Sequence, residues 1–245
     1  MVDGWDGVEQ RASVPLDVPL MFGVPVSLPR AVTQSEFEPE VGRFEELIRS
    51  VDPTDWDRPS RCDGWSAGDV AKHVVGQFAD VVAGRFDGLG SDEVTQREVD
   101  ERAGRGPTEV ADELAEIRPS LAGLLAMFDD DAWAAPAPGG TAGTLGQGVE
   151  ALWSDMVLHA DDIRAAAGRT APADVDTKSA ASHIADILTQ QGWKPATLAL
   201  DGLGEFEVSG GGERITGAPW PFVLAATGRG DPSALGFDET VNIYR

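Results

Sequence analysis

The sequence predicts an α+β protein in which an antiparallel four-helix bundle is followed by a small α+β domain. Four amphipathic stripes of helical period are confined to residues 36–170, which is typical of a bundle. After residue 170 the pattern changes to short β-like runs between glycine-rich turns. Hydrophobic residues make up 42% of the chain, enough to form a core beneath a highly charged surface.

The N-terminal residues, 1–35, are predicted to form an extended arm. They contain four prolines and no sustained apolar period. The apolar run Val18–Leu28 is interrupted by Pro19 and Pro25, so it fits neither a signal peptide nor a membrane helix.

The bundle domain is predicted over residues 36–170, with one helix for each stripe. The first stripe is Phe37, Val41, Phe44, Ile48 and Val51. The second is Val70, Val74, Gln77 or Phe78, and Val81. The third is Val110, Leu114, Ile117, Leu121, Leu124 and Phe128. The fourth is Leu145, Val149, Leu152, Met156, His159, Ile163 and Ala166.

Local signals mark where these helices begin, bend and end. Ser66, with Asp69 three residues later, resembles a capping box at the start of the second helix. Pro119 should kink or split the third helix. Arg164 followed by Gly168 is a typical stop signal for the fourth.

A small α+β domain is predicted over residues 171–245. It should begin with a helix at Val175–Gln191 and contain a second, short helix at Pro219–Thr227. The predicted strands are Thr197–Leu200, Glu205–Val208, Arg214–Thr216 and Val241–Tyr244.

The charge and cysteine content limit the classes of partner and compartment. Asp and Glu number 42 against 19 Lys and Arg, for a net charge of −23 and a pI of about 4.3. Such a surface repels nucleic acids and anionic membranes. Cys62 is the single cysteine, so no intrachain disulfide forms and a reducing cytoplasm is expected. We therefore expect a cytoplasmic monomer or homodimer that acts on a small molecule.

Two of the three histidines lie on the inner stripes of predicted bundle helices. His159 is on the fourth stripe, and Asp155, one turn earlier, points to the same side. His73 lies beside the second stripe. If both helices turn these faces inward, two imidazoles and a carboxylate form a catalytic metal set with one position open. The other interpretation is that each histidine is a hydrogen-bonded core residue, and that Asp155 and His159 form a buried polar contact without metal.

Three segments resemble a known family. The segment from Cys62 to His73, with its Gly-Trp-Ser and Asp-Val, resembles the entry to the second helix in the DinB-like superfamily. The segment from Asp155 to Gly168 is similar to the fourth-helix motif of its mycothiol-dependent maleylpyruvate isomerase branch. The segment from Ile215 to Arg229 is similar to that branch's small second domain. Together they cover about residues 37–245.

The resemblance implies a divalent metal, usually zinc, held by His73, Asp155 and His159. It also implies mycothiol as a thiol cosubstrate, whose thiolate adds to an activated double bond before rotation and elimination give the isomer. The isomerase itself uses Glu where this chain has Asp155, one methylene shorter, so a divalent metal is implied more firmly than zinc.

The resemblance also suggests roles for two residues outside the ligand set. Asp162 would accept the free N–H of a ligating imidazole, or would be an exposed helix acid. Arg229 would be a catalytic residue that pairs with a substrate carboxylate, or a cation at the end of a helix. Cys62 is interpreted as structural, and no role is predicted for His183.

The function predicted on these grounds is that of a metal-dependent, mycothiol-using enzyme of the maleylpyruvate isomerase type. It would be a cis–trans isomerase or a thiol S-transferase acting on an electrophilic small molecule. Two alternatives stay open. One is a metalloenzyme of another class on the same scaffold, such as a lyase, hydrolase or cyclase. The other is a non-catalytic binding protein.

Overall fold

The structure is a computed structural model that describes residues 27–140 and 142–245. Residues 1–26 of the predicted arm lie outside the described residues. The α-helices are α1 (Arg30–Arg49), α2 (Pro53–Trp56), α3 (Ala67–Val82), α4 (Asp92–Asp100), α5 (Pro107–Met127), α6 (Asp130–Ala134), α7 (Leu145–Ala166), α8 (Lys178–Gln190) and α9 (Pro219–Ala226). The strands are β1 (Ala196–Leu200), β2 (Phe206–Val208) and β3 (Glu213–Gly217).

The four long helices α1, α3, α5 and α7 pack as the predicted bundle. Arg30, at the start of α1, contacts Phe128 just past the end of α5, whereas Arg49, at the end of α1, pairs with Asp112 near the start of α5. These two helices are therefore antiparallel. Arg58, whose carbonyl accepts a hydrogen bond from the amide of Ala67 at the start of α3, donates to the carbonyl of Ala166 at the end of α7. Helices α3 and α7 are therefore also antiparallel.

Helices α3 and α5, in contrast, begin at the same end of the bundle. The indole of Trp56, which lies against Gly68 at the start of α3, donates to the carbonyl of Arg105, just before α5, across 3.1 Å. After the end of α3, the chain runs back along the bundle through the segment that contains α4, and α5 then begins. Helix α4 is short and mostly polar, with Glu98 and Val99 as its buried residues, and the apolar pattern of the sequence did not indicate it.

The apolar stripes form one continuous core. Trp153 of α7 is fully buried, and Phe37 of α1 meets both Phe78 of α3 and Trp153 edge-on. Such pairs add stability beyond the area that they bury. Helix α5 continues through Pro119 without a break, so the expected split is absent. None of the described helices is both long and apolar enough to cross a membrane.

Side-chain caps mark the starts of the bundle helices α3 and α7. Ser66 and Asp69 form the predicted capping box of α3, and Thr144 with Gln147 forms a second one at the start of α7. Helix α1 begins at Arg30, six residues before the predicted start of the bundle, so residues 30–35 belong to this helix.

The C-terminal part contains α8, a three-stranded sheet and α9. The strand order is β2-β1-β3, with β1 antiparallel to β2 and parallel to β3. The residues of β1 alternate between buried and half-buried positions, because one face of the sheet covers the core. The prediction of a strand at Val241–Tyr244 is wrong. A 3₁₀ turn spans Glu239–Val241 instead, and Val241 is fully buried.

Buried acids lie where α8 packs against the bundle. Glu150 of α7 accepts hydrogen bonds from the Leu28 amide and the Ser182 hydroxyl, both at 2.6 Å. Gln147 donates to Asp186 of α8 across 2.8 Å. Burial raises the pKa of Glu150 from 4.5 to about 7 and that of Asp186 from 3.8 to about 6, because the interior disfavours the charged form.

The raised pKa of Glu150 predicts a pH-dependent stability. A carboxyl that binds its proton more tightly in the folded chain favours folding below its unfolded pKa, and this contribution is lost as the pH rises to about 7. In the unmodified chain, Glu150 should therefore lower the free energy of unfolding by roughly 3 kcal/mol between pH 4.5 and 7.5. Glu150→Gln should abolish this part of the pH dependence. Urea denaturation across this range measures the effect. Exposed Glu116→Gln is the control, and a decline equal in both variants would contradict the assignment.

Candidate metal centre

The antiparallel packing of α3 and α7 brings the predicted ligands together. His73 lies in the first half of α3, whereas Asp155 lies at the middle of α7 and His159 in its second half. Both imidazoles are buried, and their ring centres are 5.4 Å apart. The side chain of Asp155 between them keeps 27% of its surface accessible.

Both imidazoles turn the same nitrogen towards Asp155. His73 Nε2 lies 3.4 Å from Asp155 Oδ2, and His159 Nε2 lies 3.3 Å from Asp155 Oδ1. Oδ2 is buried and has no hydrogen-bond partner among the described residues. Ligand atoms bound tetrahedrally to one zinc ion at about 2.0–2.1 Å are about 3.3 Å apart. The donor types and their spacing therefore fit a divalent metal.

The opposite nitrogen of each imidazole faces a buried carboxylate. His73 Nδ1 lies 2.7 Å from Glu98 Oε2, and His159 Nδ1 lies 3.0 Å from Asp162 Oδ2. Because a carboxylate accepts hydrogen bonds, it holds a proton on Nδ1, so that Nε2 is the nitrogen that would give up its proton to a bound metal. This arrangement is common around the histidines of metal sites.

The pKa shifts reflect the same cluster of charges. Burial alone would lower the pKa of His159, but the charges and hydrogen bonds of Asp155 and Asp162 outweigh it and raise this pKa well above 6.5. The pKa of His73 is raised in the same way by Asp155 and Glu98. Burial would raise the pKa of Asp155, but the two imidazoles hold it well below its usual value. Asp155 is therefore ionised at neutral pH.

Asp162 links the site to the C-terminal domain. Arg229 Nε and its terminal nitrogen bind the two Asp162 oxygens at 3.0 and 2.7 Å. Asp162 is fully buried, so the interpretation as an exposed acid is wrong. Arg61 approaches the same carboxylate at 3.6 Å. The Cys62 thiol lies 3.9 Å from His159 Nδ1 and 3.7 Å from Asp162, closer than its sequence position suggested.

A large cavity of about 580 Å³ opens beside Asp155. Its volume lies within the range of small-molecule sites. His183, for which no role was predicted, lines this cavity together with Gln77 and Tyr244. Arg229 is absent from the described lining, because its guanidinium group is held on Asp162.

Glu98 is the one close partner of a predicted ligand that sequence reasoning missed. It lies on α4, which carries no strong apolar period. The available signal was indirect, since a buried His73 that turns Nε2 inward needs an acceptor for its other nitrogen.

Replacement of Glu98 should weaken metal binding without removing a ligand. Glu98→Gln keeps the shape of the side chain but loses its charge, so we expect a tenfold to hundredfold lower affinity for Zn²⁺. Competition with a chromophoric chelator measures this affinity. The control is Glu93→Gln on the exposed side of α4. Equal affinities in the two variants would contradict a role for Glu98 in holding His73.

The fold and the site together define a four-helix-bundle protein with a histidine–carboxylate centre and an appended small α+β domain. A sequence model described as the mycothiol maleylpyruvate isomerase N-terminal domain matches residues 37–164. The chain belongs to this family. The match includes His73, Asp155 and His159, and it ends before Arg229.

Two solved structures share the fold. One is the crystal structure of the mycothiol-dependent maleylpyruvate isomerase, with a TM-score of 0.60 and 18% sequence identity. The other is a histidine-to-alanine mutant of that isomerase, with a TM-score of 0.58 and 18% identity. Each alignment covers 86% of this chain and 96% of the isomerase chain. No curated protein matched the chain.

Proposed function

We propose that the protein is a metal-dependent enzyme that uses a low-molecular-weight thiol, mycothiol, to isomerise or S-conjugate an electrophilic small molecule. The observation that carries this proposal is the meeting of His73, Asp155 and His159 beside a cavity large enough for a substrate. Membership of a family named for a mycothiol-dependent isomerase supports the choice of thiol and reaction.

The three residues would hold a divalent metal, with zinc as the first choice. Two imidazoles and one carboxylate match the three-ligand sets of catalytic zinc sites, which leave one position for an exchangeable group. When bound, such a metal lowers the pKa of a thiol that coordinates it. The shorter Asp at position 155 still reaches both imidazoles, as the 3.3 and 3.4 Å distances show.

The surrounding residues would orient the ligands. Glu98 and Asp162 hold protons on the outer nitrogens of His73 and His159, which fixes the direction of both rings. Arg229 would act through Asp162 as a positioning residue, since both of its bonds to this carboxylate are made in the structure. Contact between Arg229 and a substrate carboxylate stays a prediction.

An isomerisation by thiol addition consumes no oxidant. The thiolate adds to one carbon of an activated C=C bond, the remaining single bond rotates, and elimination restores the double bond and the thiolate. An S-transferase would instead keep the new C–S bond and take up a proton at the neighbouring carbon. The two outcomes differ only in whether elimination follows addition.

Thiol dependence is the direct test. The purified protein, loaded with Zn²⁺, is incubated with mycothiol and a panel of cis enones, and products are separated by chromatography. Conversion that requires both thiol and metal is expected. Conversion without thiol would instead assign the site to another metal-dependent reaction, and a chain that binds no metal after reconstitution would be assigned to binding alone.

A further inference from the structure

The wall of the cavity beside Asp155 contains few polar side chains. Most of the described lining residues carry apolar Phe, Leu, Val, Ala or Pro side chains, and the polar ones are Gln77, Asp155, His183 and Tyr244. In a mostly apolar pocket, a small number of polar groups fix how a bound molecule is oriented. The accessible members of this group of four are therefore the candidates for a direct contact with the substrate.

Tyr244 is the most accessible of the four. Gln77 is only 6% exposed, and His183 is half-buried. Asp155 faces the two imidazoles of the ligand cluster. Tyr244, in contrast, is 58% exposed. Its backbone amide donates to Asn242 Oδ1 at 3.0 Å, but its phenol oxygen has no hydrogen-bond partner among the described residues. The hydroxyl group is therefore available to a molecule in the cavity.

The backbone before Tyr244 is held in place from two sides. The amide of Ile243 donates to the carbonyl of Ala226 at the end of α9 across 2.9 Å. Gln191, just after α8, donates to the carbonyl of Ile243 across 2.9 Å. Ile243 itself is buried. A donor that is already fixed loses less entropy when it binds a ligand, so this segment suits Tyr244 to a binding role.

The phenol of Tyr244 lies at the end of the cavity next to the metal centre. Burial raises its pKa from the ordinary value of 10, the charge of Asp155 raises it further, and the charge of Arg229 opposes them. Interactions between charges weaken with distance, so these effects place the phenol near both residues. A phenol is protonated at neutral pH and can donate a hydrogen bond to an acceptor beside the ligand cluster.

The reaction proposed above creates charge on an acceptor of this kind. When a thiolate adds to an α,β-unsaturated carbonyl compound, a C–S bond forms at the β-carbon. The C=C π electrons shift to the bond between the α-carbon and the carbonyl carbon, and the C=O π electrons move onto oxygen. A donor at this oxygen stabilises the enolate more than the carbonyl. The donor keeps its proton, and the return of the electrons expels the thiolate.

We propose that Tyr244 is a substrate-binding residue whose hydroxyl donates a hydrogen bond to the carbonyl oxygen of an α,β-unsaturated carbonyl compound in the cavity. As a statement about the substrate, this rests on the proposed function, because thiol addition needs the activating carbonyl. As a statement about binding, it holds for a neutral ketone that fits the cavity, with no thiol present. The two statements are tested separately.

A matched pair of fluorescent molecules tests the binding. The ketone 6-propionyl-2-(dimethylamino)naphthalene and its 6-propyl analogue, in which CH₂ replaces the carbonyl, are titrated into the full chain with Zn²⁺ added. Tyr244→Phe keeps the ring and removes the hydroxyl, so it should weaken binding of the ketone about threefold to tenfold, the effect of one neutral hydrogen bond. The propyl analogue has no acceptor, so its affinity for the two chains should agree within about twofold.

A control variant and a spectral signature accompany this titration. Ser35→Ala removes an exposed hydroxyl of α1 outside the described lining and should leave both affinities unchanged. A hydrogen bond to its carbonyl moves the emission of the ketone to longer wavelength, so the ketone bound to Tyr244→Phe should emit at shorter wavelength than the ketone bound to the unmodified chain. Circular dichroism verifies that each variant is folded.

The tyrosine content of the chain allows the contact to be located. Tyr244 is the single tyrosine in the sequence, so incorporation of 3-fluorotyrosine gives one ¹⁹F resonance. At saturation, the ketone should shift this resonance more than the propyl analogue does, because only the ketone accepts a hydrogen bond from the phenol. A resonance that the ketone leaves in place would put the bound ketone elsewhere.

The thiol assay tests the statement about the substrate. With an enone that the protein converts, Tyr244→Phe should lower kcat about tenfold to hundredfold and change KM less, because the hydrogen bond is stronger to the enolate. Its metal content should equal that of the unmodified chain, since Tyr244 lies outside the ligand cluster. An unchanged kcat would overturn this part of the proposal.

The outcomes separate this proposal from the enzymatic one. Equal affinity of the unmodified chain and Tyr244→Phe for the ketone, an equal loss for the ketone and its propyl analogue, an unmoved ¹⁹F resonance, or no binding of the ketone would each overturn the binding site. None of these results depends on thiol. A ketone affinity that depends on Tyr244, without conversion of any enone, would instead support the binding site and contradict the thiol reaction.

Discussion

His159→Ala is expected to lose its bound metal and, with it, thiol-dependent activity. The substitution removes one of three ligands, so the loss of Zn²⁺ affinity should exceed the tenfold to hundredfold effect expected for Glu98→Gln. We expect activity at least about a hundredfold lower at saturating thiol. Elemental analysis of protein purified without a His-tag or chelator measures the metal, and His73→Ala should behave in the same way.

The third histidine supplies the matched control. His183→Ala removes an imidazole that lines the cavity but is not part of the ligand cluster, so its metal content should equal that of the unmodified chain. Full metal content in both His159→Ala and His183→Ala would contradict the assigned site. Equal loss in both would indicate that the metal depends on the fold rather than on His159.

Arg229→Ala is expected to destabilise the fold strongly. The Arg229 side chain is only 12% exposed, and its guanidinium group binds both oxygens of the fully buried Asp162. Removal of one partner of a buried ion pair leaves an uncompensated charge, which costs about 3–5 kcal/mol. We expect the low end of this range, because His159 still donates to Asp162. In a chain of this size, the midpoint of thermal unfolding should fall by about 6–12 °C.

An exposed ion pair in the same domain is the control for this experiment. Arg214 pairs with Glu205, and more than half of each side chain is exposed, so Arg214→Ala should cost less than about 1 kcal/mol. If Arg229→Ala were no more destabilising than Arg214→Ala, the Asp162 pair would contribute little to stability. Replacement of Asp162 by Asn in the Arg229→Ala background should recover part of the loss, since the unpaired charge is then absent.

The bundle was predictable because its signal is local. Each long helix buries one stripe, so residues such as Phe37, Val74, Leu114 and Met156 reveal its period without knowledge of the neighbours. Helix α4 escaped detection for the opposite reason. It is nine residues long and mostly polar, and it contributes to the core chiefly through Val99 and Glu98.

The ligand cluster was predictable only in part. Asp155 and His159 share one helix face by geometry alone, but their meeting with His73 depends on how α3 and α7 pair. The family resemblance implied that α3 and α7 face each other at these residues, and the antiparallel contact between the two helices in the structure agrees with it. The direction of α5 relative to α3 could not be predicted from stripes, because it depends on the return segment around α4.

The sequence by itself determined the four amphipathic helices, the capping box at Ser66, and the Asp155–His159 pair on one face of α7. These follow from helical periodicity and short-range hydrogen bonding, which act within a few residues. Tertiary structure alone decided that Glu98 supports His73, that Arg229 binds Asp162, and that an apolar cavity opens beside Asp155. The two contacts join residues that are 25 and 67 positions apart in the sequence. Burial away from water strengthens their charges and hydrogen bonds.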